Sequence, residues 1–207
     1  MLRVLSDQGP VTFLLLAIAI IEAIALHEYA HALAADLQGD RLPRAFGRLT
    51  LNPAKHLDPL GTILIFLVGF GWGRPVEFRP EALASKRFGA AIVALAGPTM
   101  NLLLAIAAAF AAVPLLRGGS DGPLTEFLLR FFEINVLLAV FNLLPLPPLD
   151  GSRLLTIFLP PDKQKIIFFL DRYGLVILLA VVFFGWQTII EPLTVTFGTW
   201  ILRLAGA

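Results

Sequence analysis

Residues 11–35 read VTFLLLAIAIIEAIALHEYAHALAA. The run is longer than the roughly 20 apolar residues that carry an α-helix across a bilayer. It nevertheless contains Glu22, His27, Glu28 and His31. Ionisable groups inside a lipid-spanning helix are costly, face protein or a wet cavity, and mark functional positions. This segment therefore predicts both a membrane helix and a site within it. The competing reading is a cleaved signal peptide over residues 11–25. The one Arg and one Asp ahead of it make a poor basic flank, and the run continues into the histidines.

Working outward, the whole chain agrees. Of 207 residues, 57% are apolar and 15% charged, and mean hydropathy is +0.82. Soluble domains carry about 25% charged residues, and a water-facing surface on a chain of this size cannot be covered with so few. The same numbers exclude disorder. A net charge of +1 leaves no excess for nucleic acid, and the absence of cysteine excludes disulfides, thiolate ligands and a cysteine nucleophile.

Three further runs are long enough to span, at residues 88–116, 124–145 and 166–190. Residues 62–72 are too short and are bracketed by glycines, which reads as a re-entrant or interfacial segment; residues 192–204 read as an amphipathic terminal helix. Residues 46–51 and 75–78 alternate in a way that suits a small strand pair at the membrane surface. The expected fold is all-α, a single multi-pass domain over residues 1–207 with about four transmembrane helices and no linker. Four alternating spans put 12 of the 16 basic residues on one side (Arg41, Arg44, Arg48, Lys55, Arg74, Arg79, Lys86, Arg87, Arg153, Lys163, Lys165 and Arg172). The positive-inside bias makes that side cytoplasmic, in the cell membrane.

His27-Glu28-Tyr29-Ala30-His31 fits the pattern H-E-x-x-H. Four helical residues turn the chain by about 400°, so the imidazoles stand about 40° apart, one turn up, and can share one zinc ion. Glu28 lies about 100° round from His27. That suits it less to ligation than to taking a proton from an attacking water and passing it to a leaving amine. The bland alternative is chance, which with three His and seven Glu is on the order of one in a thousand. If the helix leaves the membrane near Asp36, His31 lies roughly 8 Å and His27 roughly 13 Å inside it, nearer the cytoplasmic face.

A catalytic zinc site uses three protein ligands, so a third must come from elsewhere. The candidates are His56 and the carboxylates, among which Asp150 stands out. It follows FNLLPLPPL at residues 141–149. Three prolines in four positions must break the preceding helix. Broken backbone at membrane depth is tolerated only where it is buried in protein or lines a wet cavity. The segment thus predicts a polar pocket ending at Asp150, with Gly151 allowing tight backbone geometry. The alternative is an ordinary helix end with Asp150 in a surface turn.

The histidine motif at residues 27–31, Ala96-Gly97-Pro98-Thr99-Met100-Asn101, and Asn142 through Asp150-Gly151 together resemble the site-2 protease family of intramembrane zinc metalloproteases. Gly47-Arg48-Leu49-Thr50-Leu51-Asn52-Pro53, with His56, Asp58, Pro59 and Gly61, resembles its compact bacterial members. The likeness runs from about residue 11 to 185, with a catalytic core over about 11–160. It implies that His27, His31 and Asp150 hold one zinc, that Glu28 is the catalytic acid/base, and that the substrate is a transmembrane segment of another membrane protein. No extra span before the histidine helix, inserted PDZ domain or C-terminal nucleotide-binding regulatory domain is expected here.

Asn101 and Asn142 are candidates for holding substrate backbone or an oxyanion; for Asn101 a helix–helix hydrogen bond is the alternative. Asn135 reads as structural, and Glu22 as facing the bundle interior and pairing with a polar group. The segment before Asp150, or a strand near residues 46–51, can receive an unwound substrate by strand addition. A metal transporter would spread its ligands along a pathway and show an inverted repeat. An inactive metal-binding scaffold would have no need of Glu28. Nothing in the sequence sets the oligomeric state.

Overall fold

The computed structural model describes residues 6–68, 71–158 and 164–207. Two long helices dominate: α1 (Pro10–Leu37) and, after the short helices α2 (Leu42–Ala45) and α3 (Pro59–Val68), α4 (Lys86–Arg117). They are followed by α5 (Pro123–Asn142), α6 (Gly151–Phe158), α7 (Gln164–Phe184) and α8 (Glu191–Leu204). Prolines open α1, α3 and α5, where the missing N–H costs nothing and the preset φ favours a first turn. α1, α4 and α5 pack against one another as the centre of the molecule. Their contact faces are small: Ala19, Ala23, Ala32 and Ala35 on α1, and Ala105, Ala109 and Ala112 on α4, are fully buried. Small residues let membrane helices approach closely, which matters where lipid removes the hydrophobic drive between helices. Around Ala105, Ala108 and Ala109 close Phe132, Val136 and Val140 of α5 and Ile201 of α8. Large apolar side chains such as Leu14, Leu103, Phe110 and Phe183 point outward, as a lipid-facing surface requires.

By length and composition α1 and residues Phe88–Arg117 of α4 can each cross a membrane; a third crossing is added if Arg172–Phe184 and Trp186–Leu204, bent by 80°, are one span. This is fewer than the four straight spans expected. α5 stops at Asn142, ahead of the prolines, and carries Glu126, Arg130 and Glu133. The run at residues 166–190 breaks at Gly185, after which a π-helical turn, Trp186–Ile190, leads into α8. Within residues 62–72, α3 contributes a helix of ten residues in all, about 15 Å long; residues 69 and 70 lie outside the described residues.

Among the described residues no strand forms, and the expected strand pair is replaced by one antiparallel bridge between Leu57 and Gly73. A side chain adds to this single bridge. Arg48 donates through Nη1 to the Lys55 carbonyl at 2.8 Å and through Nη2 to the Arg74 carbonyl, tying the two segments together. The segment before Asp150 is likewise no strand but a string of turns, with Leu144, Leu146 and Leu149 N–H groups donating to the carbonyls of Phe141, Leu144 and Leu146.

The loop after α1 is pinned by two buried aspartates. Asp36 accepts from Arg41 and Arg44 at 2.7–3.0 Å. Asp40, fully buried, accepts from Arg79 through its backbone N at 2.6 Å and its Nη2 at 2.8 Å, and from Leu42 N at 3.1 Å. Burial alone would raise the Asp40 pKa, but these hydrogen bonds and the Arg79 charge hold it below the usual carboxylate range.

Candidate active site

The i, i+4 spacing on α1 brings His27 Nε2 and His31 Nε2 to 3.0 Å from one another. Both rings are buried, at 7% exposure. Each is oriented through its other nitrogen by α4. His31 Nδ1 lies 2.7 Å from the Val93 carbonyl, and His27 Nδ1 lies 2.5 Å from Asn101 Oδ1. Both partners can only accept, so both Nδ1 atoms carry the ring proton and both Nε2 atoms of the neutral rings present lone pairs. Asp150 Oδ2 completes the triangle at 3.1 Å from His27 Nε2 and 3.2 Å from His31 Nε2.

Three acceptor atoms thus converge with no donor between them, an arrangement that a cation satisfies. Zinc–ligand distances of about 2.0–2.2 Å in tetrahedral geometry separate ligand atoms by about 3.3–3.6 Å. The observed edges of 3.0–3.2 Å are close to this, and a two-imidazole, one-carboxylate donor set is one that zinc takes. Among the described residues these three form the group able to hold a metal, and His56 is not in it.

Glu28 follows His27 on the helix. Its Oε2 is buried and has no hydrogen-bond partner. Arg48 Nη2 stands 3.9 Å from that oxygen, and Gly73 lies over the other, where a Cβ would come within 3.2 Å of Oε1. Arg48 is itself buried, as is His56, whose Nε2 donates to the Thr50 carbonyl at 2.7 Å. Burial, reinforced by the Arg48 charge and opposed by that hydrogen bond, holds His56 below the ordinary imidazole range. The carboxylate therefore has its Oε2 buried beside one guanidinium, while the Glu28 side chain as a whole is 13% exposed.

Asp150 is held by the turns before it and by Gly151, which opens α6. A Cβ on Gly151 would come within 2.5 Å of the Leu144 carbonyl, so the chain can double back there only without a side chain.

Of the two asparagines read as substrate-binding candidates, Asn101 is fully buried and spoken for. Its Oδ1 meets His27, and its Nδ2 donates to Asn135 Oδ1 at 2.8 Å and to the Ala23 carbonyl at 3.3 Å. Asn142 is half-buried, and its Nδ2 donates to the Leu138 carbonyl of its own helix at 3.0 Å. Glu22 is half-buried and, among the described residues, makes no hydrogen bond or ion pair, so the expected polar partner is missing.

Sequence reasoning missed Arg48, Val93 and Gly97 as site residues. Val93, Gly97 and Asn101 recur at four-residue spacing, so they form one stripe of α4 facing the histidine stripe of α1. That spacing is a usable signal for Gly97. Val93 acts through its carbonyl, which no side-chain pattern reveals.

A model of peptidase family M50 matches residues 14–118 and 119–181 of the chain. YwhC of Bacillus subtilis (strain 168) is 40% identical over 172 residues, spanning 80% of this chain and 78% of its own length. Rip2 of Mycolicibacterium smegmatis (strain ATCC 700084 / mc(2)155) is 32% identical over 190 residues, spanning 86% and 70%. Rip2 of Mycobacterium tuberculosis (strain ATCC 25618 / H37Rv) is 34% identical over 166 residues, spanning 76% and 62%. All three are provisionally named zinc metalloproteases. No solved structure matches the chain.

Proposed function

Since the chain belongs to peptidase family M50, the site-2 protease family, and is an intramembrane zinc metalloprotease, we propose that His27, His31 and Asp150 hold its zinc and that Glu28 moves the proton in peptide hydrolysis. The observation that carries this reading is the convergence of three lone pairs beside a buried, unpartnered carboxylate oxygen. When bound there, zinc supplies Lewis-acid polarisation of the scissile carbonyl and acidifies the attacking water.

The remaining work falls to the chain's own residues. Glu28 accepts the proton of the attacking water at its unpartnered Oε2 and later delivers it to the leaving amine. Arg48, 3.9 Å away, orients that carboxylate and keeps the loop carrying Gly73 over it. Val93 and Asn101 hold the two imidazoles with Nε2 inward. Asn142 keeps its Oδ1 for a substrate N–H, because its Nδ2 is committed to Leu138.

The substrate we assign is a transmembrane segment of another membrane protein, unwound before it is cut, since a helix hydrogen bond shields the peptide carbonyl. The catalytic core is residues 11–160 of a single domain. α5 and the bent α7–α8 pair complete the crossings begun by α1 and α4. α3 lies at the interface or enters it, and the side rich in Lys and Arg faces the cytoplasm. A transporter reading is weaker, because the ligands cluster at one point rather than along a path.

Metal analysis of purified protein tests the ligand set. The expected result is about one zinc per chain, lost in His27→Ala, His31→Ala and Asp150→Ala and kept in His56→Ala. Full occupancy in Asp150→Ala would remove the third-ligand assignment.

A further inference from the structure

The hydrogen bonds behind His27 run further than its neighbour. Asn135 of α5 is fully buried, and its Nδ2 donates to the Phe131 carbonyl at 2.8 Å. A carbonyl cannot donate, so this contact fixes which end of the Asn135 amide is which. Its Oδ1 is therefore the atom facing Asn101, 2.8 Å from Nδ2. Asn101 must then donate toward Asn135 and turn its Oδ1 to His27, 2.5 Å from Nδ1. An oxygen there requires the His27 proton on Nδ1 and leaves the Nε2 lone pair free. The chain of logic starts at a backbone carbonyl on α5, crosses α4, and ends at the ligand atom on α1. His31 needs no such relay, since the Val93 carbonyl meets its Nδ1 directly.

We propose that Asn135 is a positioning residue that sets the tautomer of His27 through Asn101. The inference rests on the reading of His27 as a zinc ligand. An amide can flip, exchanging acceptor for donor, and a flipped Asn101 would put an N–H against His27 Nδ1. The ring would then move its proton to Nε2 or swing away, and in either case the lone pair is lost. One other contact resists the flip, from Asn101 Nδ2 to the Ala23 carbonyl. It is longer, 3.3 Å against 2.8 Å for the contact from Asn101 Nδ2 to Asn135 Oδ1, so Asn135 is the closer acceptor holding the amide in place.

The test is zinc affinity of the full-length protein in detergent, measured by competition with a chromophoric chelator. Removing a partner that orients a ligand costs about 10–100-fold in metal affinity, so Asn135→Leu should weaken zinc binding by that amount. Asn101→Asp in the Asn135→Leu background should restore it to near the wild-type value. A carboxylate accepts from His27 Nδ1 whichever way it turns, so it no longer needs Asn135 to orient it. A residue that merely packs α5 would give no such rescue. Wild-type affinity in Asn135→Leu, or a double variant as weak as Asn135→Leu, would overturn the proposal. If Asn135→Leu does not accumulate, Asn135→Ala removes the same acceptor and is read in the same way. His27→Ala is the control. If it keeps full affinity, the ligand reading itself fails; if it loses zinc while Asn135→Leu does not, the relay alone fails.

Discussion

A Cβ placed on Gly97 would come within 2.6 Å of His27 Nε2. α4 therefore meets the two imidazoles backbone-first. That closeness lets the Val93 carbonyl and the Asn101 amide, one turn either side of Gly97, reach the two Nδ1 atoms. The glycine is required by space and not by backbone conformation, since it lies within a regular helix.

Gly97→Ala should expel the imidazoles from their positions. The rings are buried on every side and cannot yield as the tip of an exposed side chain can. The expected outcome is loss of most bound zinc and of proteolysis with helical content retained, measured by metal analysis and circular dichroism. A zinc-replete, active Gly97→Ala would show that α4 can back away.

Glu28→Gln keeps size and hydrogen bonding but cannot take a proton from water. It should retain zinc and cut a model transmembrane substrate at least about a hundredfold more slowly, since general acid/base groups commonly contribute 10²–10⁴-fold. Cleavage assays in liposomes beside zinc analysis decide this. Near-normal cleavage by the zinc-loaded variant removes the assigned mechanism.

Arg48→Met should leave zinc content unchanged and lower kcat by about 10- to 100-fold, the usual cost of misplacing a reacting group by about 1 Å. Arg48→Lys should recover part of this, because a lysine restores the charge near Glu28 but not the fork that spans the Lys55 and Arg74 carbonyls. Steady-state kinetics separate the two; an effect on KM alone would mean that Arg48 acts on substrate binding instead.

Asp40 has a lowered folded-state pKa. Its contribution to stability is therefore complete above the unfolded value of about 3.9 and is lost as pH falls through the lower folded value. Asp40→Asn should melt lower than wild type at neutral pH, by about 1–3 kcal/mol of stability, and the gap should begin to narrow below about pH 4 and close as pH falls through the lower folded value. Thermal melts in detergent across pH check it, and a gap that persists unchanged into acid would contradict the assignment.

The native chain has no cysteine, so single cysteines report topology cleanly. Glu81→Cys, on the basic side, should be labelled from the cytoplasm, and Asp121→Cys, between α4 and α5, from outside. Both positions are exposed. The reverse pattern would invert the orientation.

The sequence by itself determined what is local. The i, i+4 geometry of His27 and His31 follows from the helical repeat once residues 11–35 are helical. Membrane character follows from summed composition, and the end of α5 before residue 145 follows from prolines that cannot continue a helix. What joins distant segments was decided only by tertiary packing. Asp150, 119 residues beyond His31, and not His56, reaches the imidazoles, because the turns before it and the close approach at Gly151 aim it inward. Asn101 faces a histidine and not a pocket, because Asn135 and Ala23 hold its other end. The strand pair gave way to a single bridge between Leu57 and Gly73, beside which the buried Arg48 guanidinium holds the Lys55 and Arg74 carbonyls. Periodicity and breakers act within a few residues of chain. The partner of a buried polar atom is set by whichever helix packs against it, and small residues such as Gly97 decide how close that helix comes.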